Sequence, residues 1–226
     1  MPWREIWDRD RAIAGPDDAA AFVEAVGFCT WAPVPGLDFP NLAEAMGRTA
    51  SSVLYDTWFW KDDLHLARRL YYGKIVRGQP TFVAADFLPD FVAALGSERD
   101  ASRLYLEGRL PREARVILEY LTEHGAQPTR ALRRGVRLAS RDQGAASERA
   151  ITELQRRFLI CKVDLTGRTR GTYSYVWDLA ERFWPEPFEE ARGTPTHVAR
   201  ERIRERLCEL GIAPSPALEA RLLLWR

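Results

Sequence analysis

From Pro111 to Asp178 the spacing of apolar side chains changes in a telling order. Ala114, Ile117, Leu118 and Leu121 recur at i, i+3, i+4 and i+7, one stripe of a helix that Pro111 starts and Gly125 stops. Pro128 and Thr129 restart the chain, with Thr129 expected as an N-cap. A short second helix follows, with Leu132, Val136 and Ala139 inward and Arg130, Arg133, Arg134 and Arg137 on its other side. Ser140-Arg141-Asp142-Gln143-Gly144 reads as a polar loop. A third helix is expected from about Ala146 to Arg157. Ser147, Ile151, Leu154 and Phe158 share its inner face, while Arg149, Thr152, Gln155 and Arg156 point elsewhere. The period then drops to two. Cys161, Val163 and Leu165 alternate with Lys162 and Asp164, and Tyr173, Tyr175 and Trp177 alternate with Ser174, Val176 and Asp178. Between them lies Thr166-Gly167-Arg168-Thr169-Arg170-Gly171, so the two runs predict a hairpin.

Three helices followed by a hairpin, with basic residues on the last parts, outline a winged helix-turn-helix. On that reading the third helix enters the major groove and the hairpin is the wing, with Arg168 and Arg170 at its tip. The expected DNA-binding set is Arg130, Arg133, Arg134, Arg137, Arg141, Gln143, Arg149, Thr152, Gln155, Arg156, Lys162, Arg168 and Arg170. The alternative is a small α+β domain with an ordinary solvated basic face.

Elsewhere the pattern is mainly helical. Residues 2 to 13 suggest a short helix with Trp3 and Trp7 on one side. Gly15-Pro16-Asp17-Asp18 opens a second helix, with Ala19, Phe22, Val23 and Val26 inward. Asn41 to Met46 reads as a short helix, and Thr81-Phe82-Val83 as a short strand. Asp62 and Asp63 favour a helix start, with Leu64, Ala67, Leu70 and Tyr71 as its apolar side. Trp58, Phe59 and Trp60 are expected in the core, the alternative being that they help bind nucleic acid. Arg68, Arg69, Lys74 and Arg77 form a secondary basic cluster beside Tyr71 and Tyr72, a mixture suited to phosphates and stacked bases. Leu88, Phe91, Val92 and Leu95 make another helical stripe. Trp184-Pro185-Glu186-Pro187 reads as a break. The last two helices carry Ala199, Ile203, Leu207 and Leu210, then Leu218, Leu222 and Trp225. Two readings of them stay open: packing back on the body, or a homodimer contact. No internal repeat is visible.

The net charge of +1 says little by itself, but its distribution does. Residues 126 to 170 hold 11 Lys/Arg against 4 Asp/Glu, while the remainder holds 22 against 28. The basic charge is thus concentrated on the expected reading elements, as a DNA footprint should be. Three widely separated cysteines, Cys29, Cys161 and Cys208, point to reduced thiols and a cytoplasmic protein. The N-terminus lacks the apolar run of a signal peptide, and no stretch reaches the length of a membrane span. No Walker loop, Gly-x-Gly-x-x-Gly or Gly-x-Ser-x-Gly occurs, so no cofactor is expected. His65, His124 and His197 stand apart from one another and from the cysteines, so no metal is expected either. Asp56, Asp62 and Asp63 around Lys61 are the carboxylates to consider for acid–base work, although helix capping and an ion pair account for them more simply.

Two stretches carry a family likeness. One is Thr57-Trp58-Phe59-Trp60-Lys61-Asp62 with Tyr72-Gly73-Lys74 and Pro80-Thr81-Phe82-Val83. The other is Glu153-Leu154-Gln155-Arg156-Arg157 running into the hairpin and Val176-Trp177-Asp178-Leu179. They resemble bacterial winged-helix proteins related to the AlkZ/YcaQ DNA glycosylases, over roughly residues 20 to 185. The resemblance implies tandem winged helices around a DNA-binding channel, and excision of alkylated or crosslinked bases. Those glycosylases carry a Gln-x-Gln or Gln-x-Asp-like motif. Here the residues two places after Gln79, Gln127, Gln143 and Gln155 are Thr81, Thr129, Ala145 and Arg157, and none completes it.

The expectation is therefore a mainly α chain with small β-hairpins, an α+β fold built on a winged helix-turn-helix. Its regions are 1–102, mostly helical and packed on the winged helix; 103–184, the winged helix; and 185–226, the C-terminal helices. The expected function is non-catalytic binding of double-stranded DNA, in repair or transcriptional control. A DNA glycosylase and a protein–protein module are the alternatives.

Overall fold

The structure is a computed structural model that describes residues 3–7, 13–47, 58–95, 98–140, 143–169 and 171–223. Asp56, Thr57, Arg141, Arg170 and Trp225 lie outside the described residues. In chain order the helices are α1 (Trp3–Ile6), α2 (Pro16–Val26), α3 (Leu42–Ala45), α4 (Trp60–Leu66), α5 (Leu88–Ala94), α6 (Ala101–Leu106), α7 (Arg112–His124), α8 (Thr129–Gly135), α9 (Gly144–Arg156), α10 (Ala180–Phe183), α11 (Pro185–Arg192), α12 (Thr196–Glu209) and α13 (Pro216–Leu223). The strands are β1 (Phe28–Thr30), β2 (Leu70–Lys74), β3 (Pro80–Ala84), β4 (Gln127–Pro128), β5 (Ile160–Leu165) and β6 (Tyr175–Leu179). The fold is mixed and mostly helical, with two small antiparallel sheets. It divides into two compact units, one of Met1–Gly96 with Pro187–Arg226 and one of Ser97–Glu186.

In the first unit α2 begins with Pro16, Asp17 and Asp18, where a missing N–H costs nothing and two carboxylates face the positive helix end. Its Ala19, Ala20, Phe22, Val23 and Val26 are buried, and Trp3 and Trp7 pack edge-on against Phe22. Gly27 ends it at φ 82°, and a Cβ there would stand 2.9 Å from the Phe87 ring. The sheet order is β1-β3-β2. Phe28 meets Phe39 and Phe91, and Trp31 stacks on Phe82. Helix α12 belongs to this unit. Its Ala199, Ile203 and Leu207 are buried, Arg202 reaches Asp90 at 3.0 Å, and Arg206 Nε donates to the Val26 carbonyl at 3.0 Å, closing the end of α2.

Helix α4 stops at Leu66, so Leu70 and Tyr71 are strand residues and not part of its apolar side. Arg68 takes φ 57°, and Arg69 N–H donates to the Leu64 carbonyl at 3.0 Å. That left-handed turn releases the chain into β2. The expected break at Trp184–Pro187 is also revised: Pro185 is the first residue of α11, a position proline suits.

In the second unit one core joins Ile117, Leu121, Leu132, Ile151 and Leu154 with Leu138 and Trp177. Val136 is only partly buried against it, and Ala139 is exposed, so Leu138 takes the inward place expected of Ala139. Phe158 is buried, at φ 51° just beyond α9. Thr129 is the first residue of α8 and caps nothing. Its hydroxyl donates to the Tyr175 carbonyl at 2.8 Å and accepts from Trp177 Nε1 at 2.9 Å, tying α8 to β6. The sheet order is β4-β6-β5, with a bulge between Lys162 and Asp164.

The two units repeat one topology. Each has a helix ended by a positive-φ glycine (Gly27, Gly125), then a short strand. Each has a later helix ended by a left-handed non-glycine residue (Arg68, Phe158), then a hairpin and another helix. The early short strand pairs with the second strand of the hairpin in both. The sequence pattern shows no such repeat because the correspondence lies in hydrogen bonding and caps.

Candidate nucleic-acid interface

Helix α8 turns one side chain, Leu132, fully into the core and leaves its arginines outside. Arg130, Arg134 and Arg137 are exposed and Arg133 is half-buried. Arg133 ion-pairs with Glu148 of α9, which holds the two helices together. Arg130, Arg133 and Arg134 line an open cleft of about 460 Å³ with Thr129, Ala139 and Ser174, and no acidic side chain lines it. Of the three guanidinium groups, Arg133 already meets Glu148, and the Thr129 hydroxyl is held between Tyr175 and Trp177, so Arg130 and Arg134 are the cations that this cleft leaves open.

Arg137 lies beyond the end of α8 at φ 57°, where the Leu138 N–H donates to the Arg133 carbonyl at 2.8 Å. Glycine is the usual residue in that conformation. With Arg112, Tyr120 and Gln143 it lines a second cleft of about 570 Å³, which also takes in Glu113, Glu119 and Glu123. The Gln143 side chain is half-buried and accepts from the Ser140 hydroxyl at 2.9 Å.

On α9 the exposed charged residues are Glu148 and Arg149, with Thr152 half-buried. Gln155 is 3% exposed, and its amide donates back to the Ile151 carbonyl at 3.3 Å. Arg156 is half-buried, and burial pushes its guanidinium pKa below the usual value. Lys162 is 6% exposed with Nζ 4.4 Å from the Tyr175 ring. The bulge beside it breaks the strict alternation that set it on the outer face. As placed, Gln155 and Lys162 are interior residues.

The hairpin loop is held by its threonines. Thr166 N–H donates to the Ser174 carbonyl at 2.9 Å, and the Thr169 and Thr172 hydroxyls meet at 2.8 Å. Arg168 is exposed in this loop. Below it Tyr173, Tyr175 and Trp177 run as a ladder of edge-to-face rings.

Charge pairing sets the units apart. In the first, Arg4, Arg69, Arg192, Arg202, Arg204 and Arg206 each meet a carboxylate. Among the described residues, Arg112, Arg130, Arg134, Arg137 and Arg149 are exposed with guanidinium groups that meet no protein partner, and all five belong to the second unit. The secondary cluster does not gather into one patch of open charge: Arg69 is held by Asp17 and Glu24, Arg77 donates to the Pro35 carbonyl at 3.1 Å, Lys74 is half-buried, and Arg68 is exposed.

Of the acidic candidates, Asp63 is exposed, while Asp62 is 2% exposed and lies 2.7 Å from Lys61 Nζ. Among the described residues no three of His, Cys, Asp and Glu gather as a metal site would need, and no helix is long and apolar enough to cross a membrane.

A family model described as AlkZ related matches residues 13–223. No curated protein and no solved structure matches the chain.

Proposed function

The chain belongs to the AlkZ-related family, and from that premise we propose that it is a non-catalytic, winged-helix DNA-binding protein serving DNA repair or transcriptional control. The observation that carries the proposal is the collection of unpaired, exposed arginines on the second unit. Exposed, unpaired guanidinium groups are solvated and repel one another weakly, and a phosphate backbone supplies each with a charge-assisted partner and releases counterions.

In this reading α7, α8 and α9 are the helix-turn-helix part, and β5–β6 with Arg168 is the wing. Arg130 and Arg134 hold phosphates in the acid-free cleft, with Arg133 held in place by Glu148. Arg149, the unpaired cation on the outer face of α9, reads a base edge. Arg137 extends the phosphate contact past the end of α8. Base excision is the less favoured reading, because Asp62 is buried against Lys61 and no glutamine pair completes the glycosylase motif.

The test uses the full chain and a fluorescent duplex at fixed moderate salt. Wild type should bind, Arg130→Ala/Arg134→Ala should bind at least tenfold more weakly, and Arg202→Ala, which removes a paired arginine of the first unit, should bind like wild type. Equal binding by the first variant would refute the assignment. Release of free base from alkylated DNA would replace the binder by the glycosylase.

A further inference from the structure

The cleft of about 460 Å³ between α8 and the hairpin is built from parts whose positions are fixed. Its α8 wall is tied to β6 by the Thr129 hydroxyl, held between the Tyr175 carbonyl and Trp177 Nε1. On the hairpin wall the Ser174 carbonyl accepts from the Thr166 N–H at 2.9 Å, so the hairpin's own pairing places the backbone that carries Ser174. Arg133 is half-buried, reaches Glu148 through one terminal nitrogen, and keeps an enclosed Nε–H without an acceptor. Its charge is thus answered on one side only. What the cleft leaves open is the Arg130 and Arg134 guanidinium groups and the Ser174 hydroxyl, which meet no partner among the described residues.

These open groups select among phosphates. A backbone diester carries one negative charge and two free oxygens, and the flank of a duplex presents it on a convex surface. A phosphomonoester carries a charge of about −1.5 to −2 near neutral pH and three free oxygens. Each guanidinium is a planar fork that takes two oxygens. Two open forks and a hydroxyl are best served by three oxygens around one phosphorus, and two open cations match a charge near −2. No carboxylate lines the cleft to oppose the second charge. The volume lies within the range of small-ligand sites, about 300–1,000 Å³, so the organic part of an ester has room as well. Because the walls are already tied, little freedom is lost when the anion enters.

We propose that this cleft is a site for a dianionic phosphomonoester, carried either by the end of a DNA strand or by a soluble ester that competes with duplex for Arg130 and Arg134. The proposal rests on the reading of these two arginines as phosphate ligands, and it adds which phosphate they prefer.

The experiment is a phosphorus NMR titration of the full chain with methyl phosphate and with dimethyl phosphate at low salt. At neutral pH methyl phosphate should bind about tenfold more tightly, the worth of one charge-assisted hydrogen bond. At about pH 5 the preference should shrink, since the ester takes up its second proton near pH 6 while guanidinium groups stay charged. Arg130→Ala/Arg134→Ala should abolish binding of methyl phosphate, Ser174→Ala should weaken it severalfold, and Arg202→Ala should leave it unchanged. Equal affinity for the two esters at neutral pH, no binding of methyl phosphate, or a double variant with the wild-type affinity overturns the site. A second arm names the source, using duplexes that differ only in a 5′-phosphate. Tighter binding of the phosphorylated duplex assigns the DNA end, and equal binding with displacement of both by methyl phosphate assigns the soluble ester. The two proposals fail separately: an intact ester preference with no duplex binding sinks the DNA reading alone, and salt-dependent duplex binding without an ester preference sinks this site alone.

Discussion

Arg137 keeps a left-handed backbone that glycine would adopt without strain. Arg137→Gly should therefore stabilise the fold by about 1 kcal/mol and raise the melting temperature by a few degrees, while weakening DNA binding. A thermal melt beside an affinity measurement checks both; a destabilised variant would show that the arginine is held by packing and not kept for its charge. Gln155 and Arg149 make a second contrast. Gln155→Ala removes a buried, back-bonded amide and should cost about 1–3 kcal/mol in denaturant unfolding, with little change in sequence preference. Arg149→Ala should be near neutral for stability, within about 0.5 kcal/mol, and relax preference at one base position. Arg130, Arg134, Arg137 and Arg149 were legible in the sequence as outward cations because helical spacing sets them opposite Leu132 and Ile151. Gln155 was not, because it sits one position after Leu154 at the edge of the buried face, where tertiary packing decides. The thiols give a third check. Burial pushes the Cys29 thiol pKa far up, Cys161 is also buried, and Cys208 is exposed. A thiol reagent should find one fast group in the native protein and all three after denaturation; a second fast thiol would contradict this placement.

At the level of elements, the Thr129 hydroxyl is the polar tie between α8 and the hairpin, beside the packing of Leu132 and Trp177 in one core. Thr129→Val leaves the Trp177 Nε1–H and the Tyr175 carbonyl without that partner and should cost about 1–3 kcal/mol, measured by chemical unfolding; a neutral result would mean the sheet alone holds the hairpin. Periodicity revealed the helices of residues 112–156 and the two hairpin strands because each buries a regular stripe. It placed Lys162 wrongly because the bulge puts one extra residue into β5, and the alternation that sets faces is lost there. It extended α4 too far because Leu70 and Tyr71 continue an apolar pattern that the left-handed Arg68 interrupts. It also placed the Trp58–Trp60 run in the core, since a run of large rings is usually buried. Trp58 is instead exposed, with the buried Lys61 Nζ 4.3 Å from its ring. A cation three residues after a tryptophan on a starting helix is a weak signal by itself.

Over the whole molecule, two units of the same topology differ in how their charges are satisfied. The first closes nearly every described arginine with a carboxylate or a carbonyl; the second leaves five open and gathers the chain's positive excess. Where α12 docks was not legible, since its apolar stripe of Ala199, Ile203 and Leu207 would suit any complementary face. The AlkZ-related match over residues 13–223 takes in both of the stretches that carry the family likeness in the sequence. The account's central claim is that the open arginines meet phosphates, and the salt dependence of duplex affinity tests it most directly. Measured from low to moderate salt, wild type should lose affinity linearly on logarithmic axes with a slope of several units, and Arg130→Ala/Arg134→Ala should flatten that slope by about two. A wild-type affinity that does not change with salt, or a double variant with the wild-type slope, would contradict it.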